Sequence, residues 1–205
     1  MSTKPTYSGI GDAGGMLVEV LQSEIEQHFD LEKGGVSLAA PDEVSGQTRI
    51  SVFLYQVTEN DHLRNTDWRG DAGDEANGEV AGELPLVLDL HYLLTVHPKQ
   101  GGQGGGASTQ TATTTGQHEL LGLAMQVLHE HSILRGSDLS ESFVGRELQI
   151  SVESRSTDEL TNIWSTFQDQ PFRPSVAYRV TPVIIESTES PDGHRVKERR
   201  IEEYA

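Results

Sequence analysis

The sequence contains no cysteine among its 205 residues. This absence excludes disulfide bonds, thiolate metal sites and cysteine nucleophiles together. The sequence also lacks an apolar run long enough to span a bilayer, and its first residues lack the charged-then-apolar order of a secretory signal. We therefore expect a protein that is made and assembled in the cytoplasm and has no membrane partner.

Basic residues are scarce: Lys and Arg number 15, Asp and Glu number 32, and the net charge is −17. A protein that binds nucleic acid needs a concentrated basic face, and the only basic cluster here lies between Arg195 and Arg200. We therefore expect no nucleic-acid partner. An acidic, lysine-poor surface is typical of proteins from a high-salt cytoplasm, but also of ordinary acidic soluble proteins, and the composition leaves both open.

The segment Leu84 to His97 (LPLVLDLHYLLTVH) is the strongest structural signal in the sequence. Its even positions are all apolar, whereas its odd positions mix apolar residues with Asp89, His91 and His97. A strand places alternate side chains on opposite faces, so this pattern predicts a central strand with helices on its apolar face. Each buried leucine contributes roughly 1.5–3 kcal/mol, so this strand anchors a core.

Hydrophobic periodicity predicts three helices and several further strands around this segment. Helices are predicted over residues 16–29 and 117–134, and a third follows the capping box of Ser156 and Glu159, with Trp164 on its apolar face. Strands are predicted over residues 36–39, 47–58, 147–153 and 176–185. The predicted fold is α/β (α+β): a mixed central sheet flanked by about three helices, in a single domain with long polar loops.

The remaining segments are polar or rich in glycine. We predict a flexible N-terminal lead over residues 1–15, one domain over residues 16–187, and a charged C-terminal arm over residues 188–205. Two insertions interrupt the predicted domain: an acidic loop near residues 60–83 and a Gly, Ser, Thr and Gln segment near residues 98–116. The second segment has too little apolar surface to offset its ordering entropy, so we expect it to be flexible.

No motif in the sequence supports catalysis, a cofactor or a metal ion. Gly9 to Gly14 matches G-x-G-x-x-G, but the segment before it is no buried strand, which the dinucleotide fingerprint requires. His129 and His131 are two residues apart, so on a helix they point in different directions and cannot chelate jointly. Asp89 and His91 are best explained as a satisfied polar pair at a subunit interface. We expect no catalytic, cofactor-binding or metal-binding residues.

The predicted interface residues lie in the acidic loop and in the C-terminal arm. The loop contributes Trp68, its one large apolar side chain. The arm is too charged for a core strand yet carries apolar residues at intervals; its candidates are Arg195, Val196, Lys197, Arg199, Arg200, Ile201 and Tyr204. It is either a disordered charged end or an extended arm that pairs with a neighbouring chain.

Several segments occur together in an order that is similar to a known family. They are SVFLYQVTEN with HLRN, then LPLVLDLHYLLTVH, ELLGLAMQVLHEHSIL, DELTNIWSTF and RPSVAYRVTPVII. In this order they resemble the cap, or tail-terminator, proteins of extracellular contractile injection systems, which are phage-tail-like particles with an inner tube and a contractile sheath. The resemblance covers most of residues 12 to 187.

The resemblance implies a structural role and no enzymatic activity. It implies an α/β domain that assembles into a homo-oligomeric ring, expected to be a hexamer, on the last layers of tube and sheath. Such a ring ends polymerisation and stabilises the particle, so the expected partners are copies of the same chain and the tube and sheath proteins. The chain would then belong to a particle that is released from the cell. The alternatives are an adaptor without a ring and, far behind, a nucleotide-dependent enzyme.

Overall fold

The computed structural model describes residues 6–29, 34–63, 85–98, 107–135, 143, 147–167 and 170–186. In chain order the elements are α1 (Gly9–Ile25), β1 (Val36–Ser37), β2 (Ile50–Glu59), β3 (Leu86–Val96), α2 (Ala107–Glu130), β4 (Ile133–Arg135), β5 (Glu147–Glu153), α3 (Thr157–Trp164) and β6 (Ser175–Ile185). A short 3-10 turn, Thr6–Ser8, precedes α1.

Strand β3 lies in the middle of a six-stranded sheet with the order β1-β2-β3-β6-β5-β4. Strands β1 and β2 are parallel, and every other neighbouring pair is antiparallel. Every residue from Val87 to His97 is buried, because both faces of β3 are covered. The predicted mixed sheet with its central strand, flanked by three helices in the described residues, is confirmed as an α+β fold.

Helices α1 and α2 cover the apolar face of the sheet. The core on this face joins Leu90, Tyr92 and Leu94 of β3 to residues of both helices, including Leu21 of α1 and Leu120 of α2. These side chains are at most 1% exposed. The apolar even positions of the central segment therefore face the helices, as the alternating pattern predicts.

Helix α3 covers part of the opposite face. Leu93 of β3 is buried against Trp164 and Phe167, whose rings meet edge-on with centroids 5.5 Å apart. The predicted capping box is present: Ser156 accepts from the backbone N–H of Glu159, and the Glu159 side chain accepts from the backbone of Ser156. The cap starts this short helix at the position that brings Trp164 over the sheet.

Helix α1 begins at Gly9, inside the segment predicted as a flexible lead, so the predicted helix start at residue 16 is wrong. Glycine disfavours isolated helices, but Ala13 and Gly14 are buried here. A Cβ at position 14 would lie 2.9 Å from Cδ1 of Leu38, so the glycine permits close packing. Tertiary packing of the amphipathic face therefore outweighs the weak local propensity.

Helix α2 also differs from its prediction at both ends. It begins at Ala107, inside the segment predicted to be flexible and directly after the glycine run of residues 101–106. It ends at Glu130, and the residues predicted as its last turn instead form β4, in which Leu134 pairs with Leu148. Burial of Leu134 against the sheet core stabilises the strand over a continued helix.

Candidate assembly surface

The sheet face that carries α3 continues beyond this helix as a row of polar side chains, which we call the polar face. At its centre, His91 Nδ1 lies 2.9 Å from Oε2 of Glu153, and His91 Nε2 lies 2.9 Å from Oγ1 of Thr58. A neutral imidazole satisfies both contacts by donating to the carboxylate and accepting from the hydroxyl. His91 therefore connects β2, β3 and β5 without a second copy of the chain.

Glu153 is the meeting point of this network. Besides His91, its Oε2 accepts from the Tyr55 hydroxyl at 3.1 Å and contacts Arg155 at 3.0 Å. Arg155 in turn pairs with Glu159 at 3.1 Å, and its guanidinium lies 5.8 Å from the centre of the Tyr55 ring. Burial and the Glu153 carboxylate raise the pKa of Tyr55 to about 12. The network thus ties the start of α3 to the sheet.

Asp89 belongs to a second group on the polar face. Its Oδ1 accepts from Nδ2 of Asn60 at 2.7 Å and from the hydroxyl of Thr181. Arg179 lies 3.9 Å from the other oxygen. Asp89 and His91 are therefore satisfied, as predicted, but each by its own partners within the chain rather than as a pair.

Arg49, His97 and Arg173 lie in one cross-strand row at the end of the sheet, and we call them the arginine row. The backbone N–H of His97 donates to the backbone carbonyl oxygen of Arg49 at 2.7 Å. The side-chain Nε of Arg49 donates in turn to the backbone carbonyl oxygen of His97 at 3.2 Å. On the other side, Thr95 pairs with Ser175, so continuing the register places His97 opposite Arg173.

His97 is the buried centre of the arginine row. Its Nε2 lies 2.8 Å from Oγ of Ser51. Burial, and the positive charge of Arg173, lower the pKa of His97 to about 4. The ring is therefore neutral near pH 7, and the positive charge of the row resides on the two arginines.

Large apolar side chains are exposed on several strands. Among them are Val57 of β2, Leu86 of β3, Ile133 of β4 and Val152 of β5, together with Phe172 before β6, and between 42% and 56% of each is exposed. The edge strands β1 and β4 have only two and three residues, so β1 pairs only with Ile50 and Ser51 of β2, and β4 only with residues 147–149 of β5. Among the described residues, no strand pairs with the outer edge of the rest of β2 and β5, which is backbone that a segment of another chain can use.

The predicted interface residues lie outside the described residues. This holds for Trp68, Arg195, Val196, Lys197, Arg199, Arg200, Ile201 and Tyr204, which stay predictions.

Among the described residues no group of His, Cys, Asp or Glu could hold a metal ion, and no helix is long and apolar enough to cross a membrane. Gly9 to Gly14 lies within α1, with no strand before it in the described part, so it lacks the strand-to-helix turn of a dinucleotide site.

The family model of the Pvc16 N-terminal domain matches residues 16–199 of the chain. The chain belongs to the Pvc16 N-terminal domain family. The match starts where the predicted domain starts, and it extends past the predicted domain end at residue 187 into the predicted arm. Membership of this family confirms the predicted relationship to terminator and cap proteins.

Two solved structures resemble this family member. The first is the PVC sheath/tube terminator of an extracellular contractile injection system in its extended state, with 17% identity and a TM-score of 0.58 over 100% of this chain and 66% of the other. The second is the tube-terminating cap of the anti-feeding prophage, with 19% identity and a TM-score of 0.49 over 89% of this chain and 60% of the other. The chain spans less than two thirds of either protein. No curated protein matches the sequence.

The most distinctive charged residues of this family member are not predicted by any sequence pattern. Arg49, Glu153, Arg155 and Arg173 follow no motif, and Arg49 lies far from the other three in the chain. Their grouping depends on strand register, which the sequence pattern leaves undetermined.

Proposed function

We propose that this chain is a structural terminator subunit of a contractile injection system, with no catalytic activity. The observation that carries the proposal is the family match over residues 16–199, supported by a fold that aligns along the whole chain with a sheath/tube terminator. Asp89 and His91 of β3 form their hydrogen bonds within the chain. This is consistent with a subunit that binds other proteins through its surface.

In this proposal, copies of the chain form a closed ring, expected to be a hexamer, on the last layers of tube and sheath. A closed ring that covers the growing end leaves no free site for the next subunit, so polymerisation stops there and the end is stabilised. The partners are then other copies of the chain and the tube and sheath proteins. Assembly takes place in the cytoplasm, and the chain leaves the cell only as part of the particle.

Two measurements test the proposal. In native mass spectrometry the purified protein should form a closed assembly several times heavier than the 22.4 kDa chain. In cells that produce the tube and sheath proteins, adding this chain should give capped particles of uniform length, whereas omitting it should give polymers of variable length in electron micrographs. A protein that stays monomeric while binding one soluble partner would instead be an adaptor, and unchanged particle lengths would contradict the terminator role.

A further inference from the structure

The two arginines of the arginine row have no carboxylate partner among the described residues, whereas every other described arginine has one. Arg135, Arg155 and Arg179 each lie within 4 Å of a carboxylate. Among the described residues no carboxylate pairs with Arg49 or Arg173, and burial alone lowers the pKa of both guanidinium groups. In a chain with more than twice as many acidic as basic residues, two arginines on either side of one histidine, neither with a carboxylate partner in the described part, are unexpected.

Both arginines are also partly withdrawn from water. Each is half-buried, and Nε of Arg173 is fully buried without a hydrogen-bond partner. Burying a charge without a partner is costly, so such groups are usually paired in folded proteins. Partial burial of these two guanidinium groups therefore destabilises the isolated folded chain, and a bound anion would offset that loss of stability.

The pairing register of the strands places Arg49 and Arg173 on one face of the sheet, where both can contact a single ligand. Ser51 and His97 touch, and Thr95 and Ser175 touch with oxygens 3.0 Å apart, so these residues share one face of the sheet. Arg49 and Arg173 are each two residues before one of these serines and so lie on the same face. Adjacent strands are about 4.8 Å apart, so the two arginine backbones are separated by about 10 Å across His97. Arginine side chains that extend from backbones at this separation are long enough to converge on one shared carboxylate.

We propose that Arg49 and Arg173, on either side of His97, form a binding site for a carboxylate group supplied by a second copy of this chain. Guanidinium groups bind carboxylates through paired, charge-assisted hydrogen bonds. Charge favours a second copy of the chain as the source of the carboxylate. Subunits with a net charge of −17 repel each other, so contact between them requires cationic sites that accept the neighbour's carboxylates. The choice of a second copy rests on the proposed ring.

The site itself is tested without reference to assembly. The melting temperature of the full chain is measured in sodium acetate and in sodium chloride at constant ionic strength, with acetate as the carboxylate probe. The wild-type protein should melt at a higher temperature in acetate, because an anion that binds only the folded state stabilises it. The difference should disappear in the Arg49→Gln, Arg173→Gln double variant and persist in Arg135→Gln, which removes an exposed, paired arginine. Equal behaviour of wild type and double variant would overturn the site.

A matched comparison in chloride alone separates this site from a structural role. Removing unpaired, partly buried charges should leave the melting temperature unchanged or raise it, whereas Arg155→Gln should lower it, because Arg155 holds Glu153 and Glu159. A marked loss of stability in the double variant would mean that the arginines hold the fold together, and would contradict the proposal.

The source of the carboxylate is tested by sedimentation. Arg49→Gln and Arg173→Gln should each weaken self-association about thirtyfold or more, as expected for truncating one partner of a buried charge pair, whereas Arg135→Gln should not. An acetate effect with unchanged self-association would overturn the second copy as source and leave a site for a free anion only. If the wild-type chain does not self-associate at all, the proposed ring fails, and the acetate comparison still decides whether the site exists.

Discussion

Glu153 on β5 reaches across β6 to His91 on β3, with 2.9 Å between the carboxylate oxygen and Nδ1 of the imidazole. The intervening residue of β6 is Ala177, which pairs with Glu153 on one side and with Leu93 on the other. A methyl group there leaves room for the two polar side chains to meet above it. One partly buried contact therefore joins strands that are not neighbours in the sheet.

Replacing Glu153 by Gln should destabilise the protein by about 1–3 kcal/mol, because His91, Tyr55 and Arg155 lose one shared, charged acceptor. Glu147→Gln is the matched control on the same strand, since its pair with Arg135 is exposed and should be worth at most about 1 kcal/mol. Urea unfolding of both variants measures the difference. Equal losses would show that the network does not stabilise the fold.

The parts of the fold that the sequence predicts are those with strong periodicity. The alternation around Tyr92 and the capping box of Ser156 fix β3 and α3, because one-sided burial and local hydrogen bonds are both encoded within a few residues. The start of α1 at Gly9 depends instead on packing against distant residues such as Leu38, which local propensity does not contain. The same holds for Leu134, whose strand forms only because Leu148 lies beside it.

The arginine row is a purely tertiary feature. Residues 49, 97 and 173 become neighbours only after β2, β3 and β6 pair in one register. A shift of one residue would move each side chain to the opposite face. The sequence therefore predicts the strands that carry these residues but not their alignment, and the polar network of Glu153 is undetermined for the same reason.

Replacing Trp164 by Ala should cost about 3–5 kcal/mol and give molten or insoluble protein. Trp164 is only 4% exposed and packs on Phe167 and Leu93, so the truncation leaves a cavity between α3 and the sheet. Phe172→Ala is the control, because its ring touches the same tryptophan but is 56% exposed. Thermal unfolding compares the two, and equal melting temperatures for Trp164→Ala and the parent would contradict the assignment of this helix face to the core.

Stability should fall as the pH drops from about 6.5 toward 4, because of His97. Burial and Arg173 lower its pKa in the folded protein to about 4, while the unfolded chain keeps the ordinary value near 6.5. The unfolded state therefore binds the proton first, and about 2 kcal/mol should be lost between about pH 7 and about pH 4.5. Denaturant unfolding at both pH values measures this loss.

Two variants isolate the contribution of His97. His97→Gln can keep the hydrogen bond to Ser51 but does not titrate, so its stability should depend less on pH in this window. Arg173→Gln removes a charge that disfavours the protonated ring, so it should raise the pKa of His97 and also reduce the loss. A pH dependence identical to that of wild type in both variants would exclude His97 as the titrating group.

Self-repulsion should make the fold and its assembly depend on salt. A net charge of −17 is spread over one domain, and screening by salt shortens the range of this repulsion. We expect circular dichroism to show loss of helix, and sedimentation to show loss of assembly, as KCl is lowered from molar to tens of millimolar concentrations. Indifference to salt over this range would argue against adaptation to a high-salt cytoplasm.

Removing Pro191 to Ala205 should leave a folded, soluble domain that no longer assembles. The last described strand, β6, ends at Ile185, and the described core contains none of these residues. They nevertheless carry four of the chain's 15 basic residues, at Arg195, Lys197, Arg199 and Arg200, and so supply the positive charge that contact with an acidic neighbour needs. An extended segment of this kind can pair with a strand edge of another chain through backbone hydrogen bonds.

The truncated protein is compared with a full-length variant in which those four basic residues are changed to Gln. If pairing depends on charge, both proteins should lose the assembly in light scattering and fail to cap particles in electron micrographs, while keeping the melting temperature of the parent. If it depends on the backbone and on Val196, Ile201 and Tyr204, only the truncation should fail. Rings and uniformly capped particles from the truncated protein would show that residues 191–205 are a tail without a role in assembly.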